Sequence, residues 1–181
     1  MKRMESDYPP MSVSSLLAFL EKLPPAGWAL CGGGAVASYA ERKISPDLDI
    51  LISEATAQAA RKLCPPEDRV SNLIGETWHV AGLDVDLVFG AGPADAYALE
   101  RAARLRFKKQ TIRIVPVEWL AAAKVRLGRE TDLADVGRLW PVVKGSGKGL
   151  WRLVTFCRLY YPEELADLLA SYDSINRSLS G

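Results

Sequence analysis

Histidine and cysteine are scarce in this 181-residue sequence, which has one of the former and three of the latter, at positions 31, 64 and 157. With neither CxxC spacing nor an even count, the cysteines outline neither a zinc site nor a disulfide framework, and a reducing compartment is expected. A hydrolase triad has no evident members, because His79 stands without a cysteine or acidic partner at ligand spacing and reads as a strand residue. Eighteen consecutive apolar residues occur nowhere, and Met1 to Pro10 contains no apolar stretch of signal-peptide type. Neither a membrane span nor secretion is therefore expected, and the cytoplasm is the expected location. Internal repeats are absent.

Net charge is small as well, at +1, but it is unevenly placed. Up to residue 100 there are eight Lys and Arg against fourteen Asp and Glu; beyond it there are fifteen against eight. No acid occurs from 101 to 117, where Arg101, Arg104, Arg106, Lys108, Lys109 and Arg113 cluster. An acidic half that holds cations facing a basic half that holds polyanions suits metal-assisted phosphoryl or nucleotidyl transfer.

What is present sharpens that idea. The stretch Trp28 to Ala35 contains Gly32-Gly33-Gly34, and Asp47-Leu48-Asp49 follows fourteen residues after Gly33. A second apolar-acidic run, Leu83 to Phe89, carries Asp84 and Asp86. Strand side chains alternate, so Asp47 and Asp49 share a face, as do Asp84 and Asp86. Carboxylates gathered on one spot repel unless a cation lies between them, and hard oxygen donors suit Mg²⁺. A glycine turn feeding a helix adds free backbone N–H groups that favour phosphate. Lys43 and Ser45, just upstream of the acidic pair, are further candidates for phosphate contact.

The periodicity predicts helices over 12–23, 35–42, 54–63, 94–105 and 118–127, and a further one from a cap at Thr131 or Asp132 to Pro141. Strands are predicted over 27–31, 47–53, 83–89 and 107–115, with a hairpin of 69–74 and 77–80 around Gly75-Glu76. Lys144 to Gly149 resembles a phosphate loop but lacks its upstream glycine and its Ser or Thr, so it reads as a linker. Helices near 150–160 and 163–172 follow, and the aromatic group Trp140, Trp151, Phe156, Tyr160 and Tyr161 reads as helix-packing core. The pattern is an α+β mixed sheet with flanking helices, residues 1–117 forming the core and 118–181 a C-terminal helical cap packed on it.

Gly32-Gly33, thirteen residues, Asp47-Leu48-Asp49-Ile50 and then Val85-Asp86-Leu87 resemble the nucleotidyltransferase fold of the DNA polymerase β superfamily. The segment Leu120 to Val136, with Lys124, Arg129, Asp132 and Asp135, is similar to the later motifs of the abortive-infection (type IV toxin) branch. The resemblance implies that Asp47, Asp49 and Asp86 are the catalytic, metal-ligating set for two Mg²⁺ ions, with Asp86 helping to activate the attacking hydroxyl. It also implies that Gly32 and Gly33 let backbone amides approach a triphosphate and that Lys124 contacts its phosphates. Of Asp84 and Asp86, the family pattern favours Asp86. Two positions depart from the family: Gly34 stands where many relatives have Ser or Thr, and Thr131 replaces the Lys of a Lys-Asp pair. Arg129, Asp132 and Asp135 are expected to orient helices.

The implied activity is transfer of a nucleoside monophosphate from an NTP to an acceptor, with RNA or tRNA as the acceptor and an antitoxin as partner if the toxin branch holds. The basic run from Arg101 to Arg113 is compatible with RNA. The alternatives are an antibiotic-type small-molecule nucleotidyltransferase and a catalytically silent nucleotide-binding module.

Overall fold

A computed structural model describes residues 13–43, 47–62, 69–72, 75–80, 83–107 and 110–170. In chain order the elements are α1 (Val13–Leu20), β1 (Trp28–Leu30), α2 (Gly32–Tyr39), β2 (Leu48–Ile52), α3 (Glu54–Ala60), β3 (Arg69–Asn72), β4 (Gly75–His79), β5 (Val85–Phe89), α4 (Pro93–Glu100), β6 (Ala103–Phe107), β7 (Gln110–Ile114), α5 (Val117–Leu127), α6 (Glu130–Gly145) and α7 (Gly149–Tyr160). Residues 164–170 are helical as well.

The strands form one seven-stranded sheet in the order β3-β4-β5-β2-β1-β7-β6. β2 pairs with β5 and β1 with β7 in parallel; the other neighbours are antiparallel, so the sheet is mixed. Its central strands are apolar on both sides because helices cover both faces. Ile50 and Ile52 of β2 join Phe19, Leu20 and Ala57 from α1 and α3. Leu51, one position out of phase, packs instead with Val36, Leu120, Val136 and Phe156 from α2, α5, α6 and α7. β6 forms one edge, where exposed Arg104 and Arg106 discourage pairing with another chain.

Several boundaries differ from those the sequence predicts. Helix α2 begins at Gly32, so the glycines make up its first turn. The 69–80 hairpin is present, but Asn72 pairs with Gly75, which puts Gly75 and Glu76 in the strand; 73–74 lie outside the described residues. The helix predicted for 94–105 stops at Glu100, and Ala103 to Phe107 is a strand paired antiparallel with β7. Its alternation of Arg104 and Arg106 with Leu105 and Phe107 has a period of two, which outweighs the helix formers before it. Helix α6 continues through Pro141 to Gly145, because buried Leu139, Trp140 and Val143 hold it against its neighbours on both sides of the ring, and the predicted linker shrinks accordingly. Of the predicted aromatic core, Phe156 lies 5.1 Å from Tyr97 and 5.0 Å from Tyr160 between ring centroids, whereas Trp151 is exposed.

Candidate active site

Register decides which carboxylates meet. In the parallel β2·β5 pair, Asp49 stands opposite Asp86 and Leu51 opposite Val88. Leu51 and Val88 face the cluster under α2 and α5, so by alternation Asp49 and Asp86 emerge on that same face, just beyond the apolar contact. A cleft of about 660 Å³ opens there, walled by Gly32 and Gly33 of α2, Asp47, Asp49 and Asp86 of the strand region, and Lys124 of α5. Asp84 precedes β5 and is not part of this wall; the structure thus gives the cleft Asp86. Lys43 is exposed and outside the wall, and Ser45 lies outside the described residues.

Gly32 has φ +55°, the left-handed region, and a Cβ there would fall 1.8 Å from Asp49 Oδ2 and 2.7 Å from Asp49 Cβ. The glycine therefore allows both the sharp entry into α2 and the close approach of the acid. The Gly33 N–H in turn donates to the Asp49 carboxylate. Gly32→Ala is expected to cost about 2 kcal/mol or more, because conformational strain is added to an overlap that includes the Asp49 stem. Urea unfolding measures this, and a loss below half that value would contradict the close-approach argument. Gly34 has a different reason: its Cβ would meet Leu48 Cδ2 at 2.9 Å and Leu30 Cδ1 at 3.3 Å. It faces the packed sheet rather than the cleft, so a hydroxyl at this position would be buried among leucine methyls. Gly34→Ser is accordingly expected to destabilise by about 1–3 kcal/mol through overpacking, readable as a lower Tm, whereas a surface position would show no change.

Burial, and then the facing Asp86, push the Asp49 carboxyl up to about 6; Lys124 pulls it back, and Asp47 adds to the rise. The sequence reading left His79 without a partner. Its Nδ1 in fact lies 2.8 Å from Asp86 Oδ1, because β4 places the two side by side in register. Strand pairing creates this contact, so seven residues of sequence separation gave no sign of it.

Lys124 is buried, with Nζ 2.7 Å from Asp132 Oδ1 and 3.2 Å from Asp135 Oδ2. Arg129 Nε donates to Asp132 Oδ2 at 2.5 Å, and Arg42 Nε to Asp135 Oδ1 at 2.8 Å. Burial alone would raise the Asp132 carboxyl, but hydrogen bonds from Arg129 and Lys124 hold it below its ordinary value. The Arg129–Asp132 pair orients the start of α6, as the sequence suggested. Arg42 was not singled out there. Its guanidinium lies against Gly33, where a Cβ would come within 2.6 Å of Nη1, and it lines the cleft beside Arg129 and Thr131. Sequence offers only that it follows the glycine helix, too weak a signal to find it.

The cleft is lined by the carboxylates of Asp47, Asp49, Asp86 and Asp132, donors of the kind that hard divalent cations prefer, and by Cys31, whose thiol burial pushes well above its ordinary pKa. Among the described residues, however, no three His, Cys, Asp or Glu side chains converge closely enough to hold an ion.

The mixed sheet flanked by helices matches a nucleotidyltransferase-like fold. Among solved structures, the chain is similar to ANT(2'')-Ia in complex with adenylyl-2''-tobramycin, with a TM-score of 0.50 and 14% identity over 80% of this chain and 94% of that one. It is also similar to an antigenic nucleotidyltransferase-like protein from Paracoccidioides brasiliensis, with a TM-score of 0.42 and 20% identity over 88% and 90% of the two chains. A solution structure of the antibiotic-resistance factor ANT(2'')-Ia gives 0.43 and 16% over 93% and 92%. No protein-family model matches the chain, and no curated protein matches it by sequence.

Proposed function

We propose that this chain is a Mg²⁺-dependent nucleotidyltransferase that moves a nucleoside monophosphate from an NTP to an acceptor hydroxyl with release of pyrophosphate. The observation that carries the reading is the register pairing of Asp49 with Asp86 in one cleft with Asp47 and the first turn of α2. Asp47, Asp49 and Asp86 would hold the cation or pair of cations, which neutralise charge on the reacting phosphate when bound. The amides at the start of α2 favour the anionic triphosphate, and Arg42, Lys124 and Arg129 give that side of the cleft positive charge. Asp86, oriented by His79, is placed to accept the proton of the entering hydroxyl. Positioning and charge neutralisation are most of what such a transfer requires of a protein.

For the acceptor, a small molecule is the reading favoured by the likeness to ANT(2'')-Ia with its adenylylated tobramycin. RNA or tRNA, with a toxin role and an antitoxin partner, rests on the resemblance of Leu120 to Val136 to the toxin branch; the exposed cations Arg101, Arg104 and Arg106 are compatible with it, but none lines the cleft. Incubation with Mg²⁺, each labelled NTP, and either total RNA or an aminoglycoside panel separates the two. Label on one acceptor, lost in Asp86→Asn and on adding EDTA, is the expected result; NTP binding with no transfer to any acceptor would instead identify a silent module.

A further inference from the structure

We propose that the protein has a second ligand site, separate from the acidic cleft, which binds a small organic anion: one carboxylate or phosphoryl group on an apolar, ring-sized body. The site is a cavity of about 510 Å³ between α1 and the β6–β7 hairpin, and it shares no lining residue with the acidic cleft. Leu20, Leu23 and Trp28 on its wall belong to the apolar cluster on the other side of the sheet from Asp49. The volume falls within the roughly 300–1,000 Å³ usual for small-molecule sites.

Arg113 is what makes it an anion site. This side chain is 8% exposed and forms part of the cavity wall. Its Nη1 donates to the Ala26 and Trp28 carbonyls and its Nη2 to the Leu99 carbonyl, while its buried Nε has no hydrogen-bond partner. Carbonyl dipoles orient the guanidinium but bring no negative charge, and among the described residues no carboxylate pairs with it. Arg104 stands directly across in the β6–β7 register and lines the same cavity. Like charges opposed across strands destabilise each other, and a buried cation without a counter-ion is costly. Burial, and then Arg104, accordingly hold the Arg113 group below its ordinary pKa. The one acid on the wall, Glu21, accepts from Gln110. An anion entering the cavity would settle beside the two guanidinium groups and supply the negative charge that Arg113 lacks, while its body covers Leu20, Leu23 and Trp28.

The test uses isothermal titration of the whole protein with benzoate, phenyl phosphate, inorganic phosphate and, as a cationic control, benzylamine. Benzoate or phenyl phosphate is expected to bind more tightly than inorganic phosphate, with no binding of benzylamine. Arg104→Ala is expected to weaken that binding about ten- to a hundred-fold, the size of one lost charged hydrogen bond. Thr111→Glu, an exposed position on the wall, is expected to abolish it without touching the buried network, so that a folding failure of an Arg113 variant does not decide the matter. Asp49→Asn leaves it unchanged if the two sites are separate. Equal binding of benzylamine, insensitivity to both Arg104→Ala and Thr111→Glu, or loss with Asp49→Asn would overturn the proposal. Displacement of phenyl phosphate only by a single-stranded oligonucleotide, with no affinity for benzoate, would overturn it in favour of nucleic-acid contact.

Discussion

Lys124→Met is expected to lower folding stability by about 3–5 kcal/mol, seen as a fall in the urea midpoint without a change in slope. Lys124 bridges Asp132 and Asp135, whose side chains are 0% and 1% exposed. Methionine keeps most of the volume and removes the charge, leaving each carboxylate with arginine alone: Arg129 for Asp132, and Arg42 with Arg138 for Asp135. Those arginines limit the loss, since Asp132 and Asp135 remain partly compensated. A second substitution discriminates between charge and packing as the cause. In Lys124→Met with Asp132→Asn, one of the two buried carboxylates loses its charge and about 1–2 kcal/mol should return; additivity of the two losses would show that Lys124 acts by packing. The same network bears on the chemistry, because Lys124 also draws down the Asp49 carboxyl. The positive charge available to a phosphate is therefore shared among Lys124, Arg129 and Arg42.

Local patterns made the central features readable from sequence. Glycines before a small-residue helix, and acids alternating with Leu48, Ile50 and Leu87, are written into consecutive residues, and the strands and first helix turn follow from them. The contact of His79 with Asp86, and the reach of Arg42 to Asp135 93 residues away, depend on strand pairing and helix docking, which no local window contains. Strand β6 was hidden for another reason: at a sheet edge Ala103 to Arg106 are all exposed, so its alternation is not one of polar with core. Helix α6 passing Pro141 shows tertiary packing overriding a local stop signal. Likewise the linker reading of Lys144 to Gly149 was right in kind but too long, since Gly145 closes one helix and Gly149 opens the next. The choice between Asp84 and Asp86 was open by alternation alone. Register with β2 sets Asp86 opposite Asp49, and Asp86 rather than Asp84 lines the cleft.

Asp49→Asn is expected to reduce nucleotidyl transfer by about a thousand-fold while making the metal-free protein more stable at neutral pH. The activity loss corresponds to about 4 kcal/mol, the scale of charge stabilisation by a bound divalent ion whose ligand is removed. The stability gain has the opposite origin. Burial and the facing Asp86 raise the folded-state pKa of Asp49 from 3.8 to about 6. A carboxyl raised on folding is most favourable when protonated, so its penalty is absent below about pH 4, grows as pH rises, and is complete above about pH 7. The shift sets an upper bound of about 3 kcal/mol, and partial access of solvent to the side chain brings the expected gain nearer 1–2 kcal/mol. Asparagine keeps the shape and carries no charge at any of these pH values. Urea unfolding in EDTA from pH 4.5 to 7.5 should therefore give curves that coincide at the acid end and diverge towards neutrality, with the variant above wild type; comparing the two proteins cancels groups such as Asp132, whose lowered pKa acts in the opposite sense. Adding Mg²⁺ should narrow or invert the gap, because the ion stabilises only the protein that retains the carboxylate. A variant less stable than wild type at pH 7 in EDTA would mean that Asp49 is held by contacts worth more than the repulsion, and a variant with full transfer activity would remove it from the chemistry.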